Sequence, residues 1–437
     1  MKRAIVLGGG GSRGAYELGA WQALRELNVD YQMVVGTSIG SINAALMAQG
    51  DYELSEKLWE NITVDQVMTD GINLYEDIEK LFNQDKDLRP FLRRYTQNHG
   101  ADITPLIALV AKSVDEARVR ASGIEMGLVT VRFPALTPVE MMLKDIQGGA
   151  LIDYLIASAS VFPAFPVHKI GEESFIDGGY YDALPIGLAL REGADEVVCV
   201  DLYTNPTHPA LLDRPWITYV RPSQPLGSIL LFDRPILDRN RALGYWDTLR
   251  AYQKVLGVCY SFDAKSVQAH AQDARRFSLG VGKLENSLNF RNAFTRRAIR
   301  APLTDTLKRR LPATRAATEL DDLLAGAEIG ADKLGIDPFK RYTVQEMNAA
   351  LSQKLPLEEA RACVDQYFAG AGVKVVTELL ISFDRAKLMT CLFVLLRRGM
   401  IENALLVILT LFPEELLGAM YLDIMLPESL EERAQVS

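Results

Sequence analysis

A strand, a turn too sharp for most residues and a helix follow one another at Gly36-Thr37-Ser38-Ile39-Gly40. The run Tyr31-Gln32-Met33-Val34-Val35 enters and Ser41-Ile42-Asn43-Ala44-Ala45-Leu46 leaves. Gly36 and Gly40 flank a serine where chain crowding would exclude a side chain, which is the sequence form of a nucleophile elbow. The serine hydroxyl is pushed to the tip, and the helix behind it aims its positive end at any negative charge formed there. By itself the pattern also fits an ordinary strand–turn–helix junction with a capping serine.

A second glycine segment, Gly8-Gly9-Gly10-Gly11-Ser12-Arg13-Gly14, follows the apolar run Arg3–Leu7 and opens a helical stretch. Bare backbone N–H groups at a helix start suit a phosphate or an oxyanion equally. Gly9, Gly11 and Gly14 also match a dinucleotide fingerprint. That alternative wants an acidic residue at the end of the second strand. Here the second strand runs into the serine elbow, and Asp30 stands before it. A third segment, Ser174-Phe175-Ile176-Asp177-Gly178-Gly179, brings a strand-like approach to an aspartate backed by glycines, which is also a common turn. Upstream, Ala157-Ser158-Ala159-Ser160-Val161-Phe162-Pro163 reads as a small-residue helix end that packs closely on a neighbour.

Strand-like and helical stretches alternate up to about Asp201: Arg3–Leu7, Ala15–Leu27, Gln32–Val35, Ser41–Ala48, Glu125–Val131, Ile186–Glu192 and Glu196–Val200. The expected fold is α/β, a three-layer α/β/α sandwich with a mostly parallel central sheet, followed by an all-helical C-terminal domain. The expected domains are 1–225, with a helical insertion at about 51–122, then a helical extension at 226–303 and a helical domain at 304–437 of unassigned role. Trp216–Val220 reads as a strand, and Asn240–Leu256 and Ala316–Ala327 as helices. Pro312 and the glycine-rich Gly326–Gly335 are expected breaks.

With 437 residues, 49% hydrophobic and 24% charged, the chain has material for a large core. A net charge of -9 argues against a nucleic-acid partner, which calls for a basic face. Cys199, Cys259, Cys363 and Cys391 are far apart and read as reduced thiols of a cytoplasmic protein. Lys2-Arg3 followed by Ala4–Leu7 starts like a leader, but the apolar run stops at Gly8 and reads as a first strand. Leu388–Leu396 and Ile401–Phe412 are each shorter than the roughly 18–20 residues of a membrane span. They read as core helices, with transient membrane-surface contact or a homodimer through the C-terminal helices as further uses.

The four motifs, in this order over about the first 200 residues, resemble the patatin-like phospholipase family. The resemblance implies an α/β sandwich that hydrolyses fatty-acyl esters, phospholipids among them, through a Ser–Asp dyad. It makes Ser38 the nucleophile and Asp177 its base. It makes Gly9, Gly10, Gly11, Arg13 and Gly14 the oxyanion loop, with Gly10 and Gly11 supplying N–H groups. Neither metal nor cofactor is implied, and no carboxylate cluster suggests calcium. Arg13 has two readings, a lipid-phosphate ligand or a brace for the loop. Histidine is the usual base for serine, and the order Ser38, Asp177, His208 superficially fits a triad. The serine follows the second strand directly after the glycine loop, however, where an α/β hydrolase places several strands before it. His168 and His208 therefore read as surface or loop residues. Asp182 and Asp201 stay unassigned. The rival to a lipid acyl hydrolase is a regulated effector or lipid-binding module whose helical C-terminus senses a partner.

Overall fold

The parallel sheet begins with strands that are apolar and buried over Ala4–Leu7 and Met33–Val35, the pattern of strands covered on both faces. The computed structural model describes residues 1–69, 101–289, 302–311, 317–367, 384–400 and 405–427. The chain divides into two compact units, Met1–Tyr252 and Gln253–Ser437.

In the N-terminal unit the strands are β1 (Arg3–Leu7), β2 (Met33–Thr37), β3 (Glu125–Phe133), β4 (Thr137–Met142), β5 (His168–Ile170), β6 (Glu173–Asp177), β7 (Glu196–Val200) and β8 (Ile217–Val220). They form one eight-stranded sheet in the order β5-β6-β3-β2-β1-β7-β8, with β4 also paired to β3. The run from β3 to β8 is parallel. Strands β4, β5 and β6 add an antiparallel flank. The mostly parallel sheet expected from the sequence is present, and this flank is the part that the alternating pattern did not show.

The helices of this unit are α1 (Ala15–Glu26), α2 (Ile39–Gln49), α3 (Tyr52–Asn61), α4 (Thr104–Ser113), α5 (Glu116–Ala121), α6 (Leu151–Ser158), α7 (Ile186–Arg191) and α8 (Arg234–Ala251). Ala4, Val6, Met33, Val35, Val197 and Cys199 form one buried cluster with Ile186, Leu188 and Ala189 of α7. The alternate residues Ile5, Leu7 and Val34 are buried as well. Helix α1 turns Leu18, Trp21 and Leu24 inward at helical spacing. Helix α8 packs on α1, and the Tyr16 hydroxyl donates to Asp247 at 3.0 Å between them. Of the expected insertion, residues 70–100 lie outside the described residues; α3, α4 and α5 account for the rest.

Among the described residues the C-terminal unit is helical apart from a two-residue pairing of β9 (Ser261–Phe262) with β10 (Arg341–Tyr342) and a single bridge from Leu256 to Phe262. Its helices are α9 (Ala264–Gln268), α10 (Ala271–Asn289), α11 (Pro302–Arg310), α12 (Glu319–Lys333), α13 (Val344–Lys354), α14 (Leu357–Tyr367), α15 (Arg385–Arg397), α16 (Leu405–Leu411) and α17 (Pro413–Met425). The expected break at Gly326–Gly335 falls at its far end: α12 runs through Gly326 and Gly330, stops at Lys333, and Gly335 follows with φ 58°. Gly326 and Gly330 are packing positions within the helix, with Gly326 against Phe277 and Tyr421. The expected break at Pro312 lies outside the described residues. Leu388 to Leu395 of α15 are buried in the core of this unit. Among the described residues no helix is long and apolar enough to cross a membrane.

Candidate active site

Strand register explains why Ser38 meets Asp177. Strand β2 runs parallel to β3 and ends with Thr37 opposite Val129. Strand β6 runs antiparallel to β3 and ends with Asp177 opposite Thr130. Strand β4 pairs with the same β3 residues from the other edge. Thus β2 and β6 lie end to end along one edge of β3, and their last residues face neighbouring positions of it. The residue after β2 is Ser38, and its Oγ donates to Asp177 Oδ2 at 2.6 Å. Two segments 139 residues apart in sequence are joined by one shared strand edge.

The elbow itself is strained. Ser38 adopts φ 56° and ψ -127°, and a positive φ is rare for a residue with a side chain. A Cβ at Gly36 would lie 2.2 Å from the carbonyl oxygen of Gly40, and one at Gly40 would lie 2.6 Å from those of Leu7 and Gly8. Backbone cannot give way to that extent, so both flanking positions require glycine. The Ser38 N–H donates to Ser158 Oγ at 2.9 Å. The Ser38 carbonyl accepts from the Ser41 N–H at 2.9 Å and the Ser41 hydroxyl at 2.7 Å.

Asp177 is 5% exposed. Its Oδ1 accepts from the Gly179 N–H at 2.7 Å and its Oδ2 from Ser38. Burial pushes its carboxyl up to about 6, against the opposing pull of those two hydrogen bonds. The carboxylate is therefore a better base than an exposed aspartate, yet still ionised at neutral pH.

The described histidines stand elsewhere. His208 Nε2 meets the Leu184 carbonyl at 2.9 Å and Asp182 at 3.4 Å. His168 faces Asp153 and His270 faces Asp273. His99 lies outside the described residues. Asp201, almost fully buried, accepts from the Tyr203 and Thr207 N–H groups and from the Thr207 and Tyr219 hydroxyls. It fixes the loop after β7 and does not touch the serine.

In the glycine loop the amides divide. Gly8 donates to Val200 and Gly9 to Ala183. The N–H groups of Gly10 and Gly11 have no acceptor among the described residues. Gly9, Gly10, Gly11, Arg13, Ser38 and Asp177 line one cavity of about 640 Å³, whereas Gly14 is not among its lining residues. Arg13 Nε donates to the Gly227 carbonyl at 2.8 Å and its guanidinium lies over the Tyr203 ring. Both contacts brace the loop, and Arg13 still lines the cavity. The apolar lining of the cavity comes from Ile39, Ile62, Val67, Leu106, Val161 and Phe165 and, later in the chain, from Leu202, Leu226, Ile229 and Phe232. Thr204, Asn205 and Thr207 supply polar lining. These walls, and the grip of Ser158 on the elbow, were not foreseen. Two serines in an otherwise apolar helix end were the available sign of the second.

A model of the family described as patatin-like phospholipase matches residues 5–190. The chain carries a patatin-like phospholipase domain. Ser38 and Asp177 both fall inside that domain. Lysophospholipase NTE1 of Candida glabrata is 27% identical over 199 residues, 45% of this chain and 10% of the relative. Patatin-like phospholipase domain-containing protein 7 of Rattus norvegicus is 25% identical over 205 residues, 46% of this chain and 13% of the relative. The chain thus spans about a tenth of the length of these curated relatives. Among solved structures, VipD from Legionella pneumophila aligns over 98% of this chain and 92% of its own, at 13% identity and a TM-score of 0.40. The type III effector ExoU aligns over 90% of this chain and 88% of its own, at 13% identity and a TM-score of 0.32. Likeness at that level transfers no chemistry.

Proposed function

We propose that the patatin-like domain is a serine acyl hydrolase that cleaves fatty-acyl esters of lipids, phospholipids among them. The observation that carries this is the 2.6 Å hydrogen bond from Ser38 Oγ to the buried Asp177 carboxylate. It sits in an apolar cavity beside two glycine amides that lack an acceptor among the described residues. A serine hydroxyl needs a base before it can attack a carbonyl, and Asp177 is within reach of its proton.

Ser38 Oγ attacks the ester carbonyl carbon and passes its proton to Asp177. The oxyanion forms beside Gly10 and Gly11, whose N–H groups stabilise it as its charge develops. Asp177 then returns the proton to the leaving alkoxide, and an acyl-serine remains. Water, giving its proton to Asp177, attacks that ester; fatty acid leaves and Ser38 regains its proton. The apolar walls take the acyl chain and exclude competing water. Arg13 shapes the loop that holds the amides.

Hydrolysis of a nitrophenyl ester and of a phospholipid panel, read by mass spectrometry, tests this on the full chain. Ser38→Ala and Asp177→Asn are expected to lower turnover by at least about 1,000-fold. In the wild type kcat/KM falls as pH drops through about 6, where Asp177 gains its proton. Undiminished hydrolysis by Ser38→Ala would place the chemistry elsewhere. Lipid binding without turnover in the wild type would favour the lipid-binding module.

A further inference from the structure

We infer that Ser158 is a positioning residue that holds the nucleophile in its strained conformation, an inference that rests on the hydrolase reading of Ser38. Ser158 closes α6 and is 0% exposed. Its hydroxyl has one proton, and that proton is committed to the Val129 carbonyl at 2.7 Å. The oxygen is left to accept, and it takes the Ser38 N–H at 2.9 Å. The polarity of the relay is therefore set. Val129 is the β3 residue opposite Thr37, the last residue of β2. Ser158 thus ties the amide of the nucleophile to the strand along which both halves of the dyad end.

The elbow needs such a tie. Ser38 stands one residue beyond β2, and from Thr130 on β3 is paired with β6, so the strand ladder supplies no acceptor for the Ser38 amide. Ser158 provides one from outside the turn. Without it the amide lacks a partner, the elbow gains by relaxing toward a negative φ, and Oγ swings away from Asp177. The same contact uses up the Ser38 N–H, so the oxyanion must be met by amides of the glycine loop.

Two residues on, the same turn grips the other half of the dyad by a different means. The Ser160 carbonyl accepts the Asp177 N–H at 2.8 Å. The Ser160 hydroxyl, also 0% exposed, turns back to the Ile156 carbonyl of its own helix at 2.8 Å. One grip is made by a side chain and the other by main chain. Truncating the two buried serines therefore has opposite consequences for catalysis and similar ones for packing.

The test compares full-length wild type, Ser158→Ala and Ser160→Ala in steady-state ester hydrolysis, thermal melting and amide hydrogen exchange at Ser38. Ser158→Ala is expected to lower kcat about 100-fold, the cost of misplacing a reacting atom by about 1 Å, with KM within about twofold of wild type. Ser160→Ala keeps at least about half of the wild-type kcat, although both variants melt at similarly lowered temperatures. Exchange at the Ser38 amide speeds up in Ser158→Ala and is unchanged in Ser160→Ala, a readout that needs no turnover. Wild-type kcat in Ser158→Ala overturns the inference, and so does an equal loss in Ser160→Ala or an unchanged Ser38 exchange rate in Ser158→Ala. If wild-type turnover is absent or independent of Ser38, the hydrolase reading fails, while the exchange result still decides whether Ser158 holds the elbow.

Discussion

Asp177 of the N-terminal unit and Glu328 of the C-terminal unit are both buried carboxyls, 5% and 1% exposed, yet their surroundings differ in kind. Glu328, on α12, is met by backbone: the N–H groups of Val258 at 2.6 Å, Cys259 at 3.2 Å and Tyr260 at 3.2 Å. Those donors are fixed in a loop and keep their protons. Asp177 has one backbone N–H and one hydroxyl, and the hydroxyl can surrender its proton. On the proposed mechanism the type of donor decides whether a buried carboxylate is a strut or a reagent. Glu328 completes a loop that would otherwise hold three orphaned amides, whereas Asp177 is kept short of donors in an apolar cavity.

Removing the strut is expected to give the largest effect on stability. Glu328→Ala strips the acceptor from three amides at once and leaves a cavity, for a loss of about 3–5 kcal/mol. Calorimetry reads the loss, and hydrogen exchange at Val258, Cys259 and Tyr260 localises it. A melting temperature within a degree of wild type would show that the loop does not depend on Glu328 and would collapse the contrast.

Removing the reagent is expected to act in the opposite direction. Because burial raises the Asp177 carboxyl to about 6, the folded protein holds this proton to a higher pH than the unfolded chain does. The stability contributed by the neutral acid is complete below about pH 4 and is lost as pH rises through about 6. Asp177→Asn stays neutral throughout. It should therefore be the more stable protein above pH 6, by roughly 3 kcal/mol at most, with the gap closing below about pH 4. Under the proposed mechanism activity runs the other way, since there only the ionised carboxylate accepts the serine proton. Parallel melts from pH 4 to 8 check the sign, and a gap that widens toward acid would mean that Asp177 is stabilised as its anion.

These contrasts also show what the bare sequence carried. The elbow, the glycine loop and the buried parallel strands were legible because each depends on local chemistry: glycine where backbones touch, apolar runs where both faces are covered. Both members of the hydrogen-bonded pair were legible as motifs. Their meeting was not, because it depends on β2 and β6 sharing one edge of β3, a register between distant segments. The division of labour among the glycine amides was hidden for the same reason, since Gly9 is occupied by the distant Ala183 carbonyl. The lining of the cavity comes from residues as far apart as Ile62, Val67, Leu106, Leu202 and those after Pro225, with no periodic signal to link them. In Gly326–Gly335 glycine marks a break and a close helix contact with the same letter: Gly335 follows the helix end, whereas Gly326 and Gly330 pack inside α12.

That ambiguity separates the two units once more and leads to the smallest expected effect. At the elbow a Cβ on Gly40 would strike carbonyl oxygens, which cannot move without moving the sheet. In α12 a Cβ on Gly326 would lie 3.0 Å from the Phe277 ring and 3.0 Å from Tyr421 Cβ. Those neighbours are side chains, but both are buried and held on all sides. Replacing glycine by alanine within a helix gains about 0.8–1 kcal/mol of backbone propensity. Overfilling a tight core costs about 1–3 kcal/mol. Cost exceeds gain at these distances, so Gly326→Ala should destabilise by about 1 kcal/mol, a drop of about 2–4 °C for a unit of this size. The proposed ester hydrolysis at Ser38, in the other unit, should keep its wild-type kcat and KM. A rise in melting temperature would mean that Phe277 and Tyr421 give way at little cost, and that Gly326 is tolerated in α12 without being required by it.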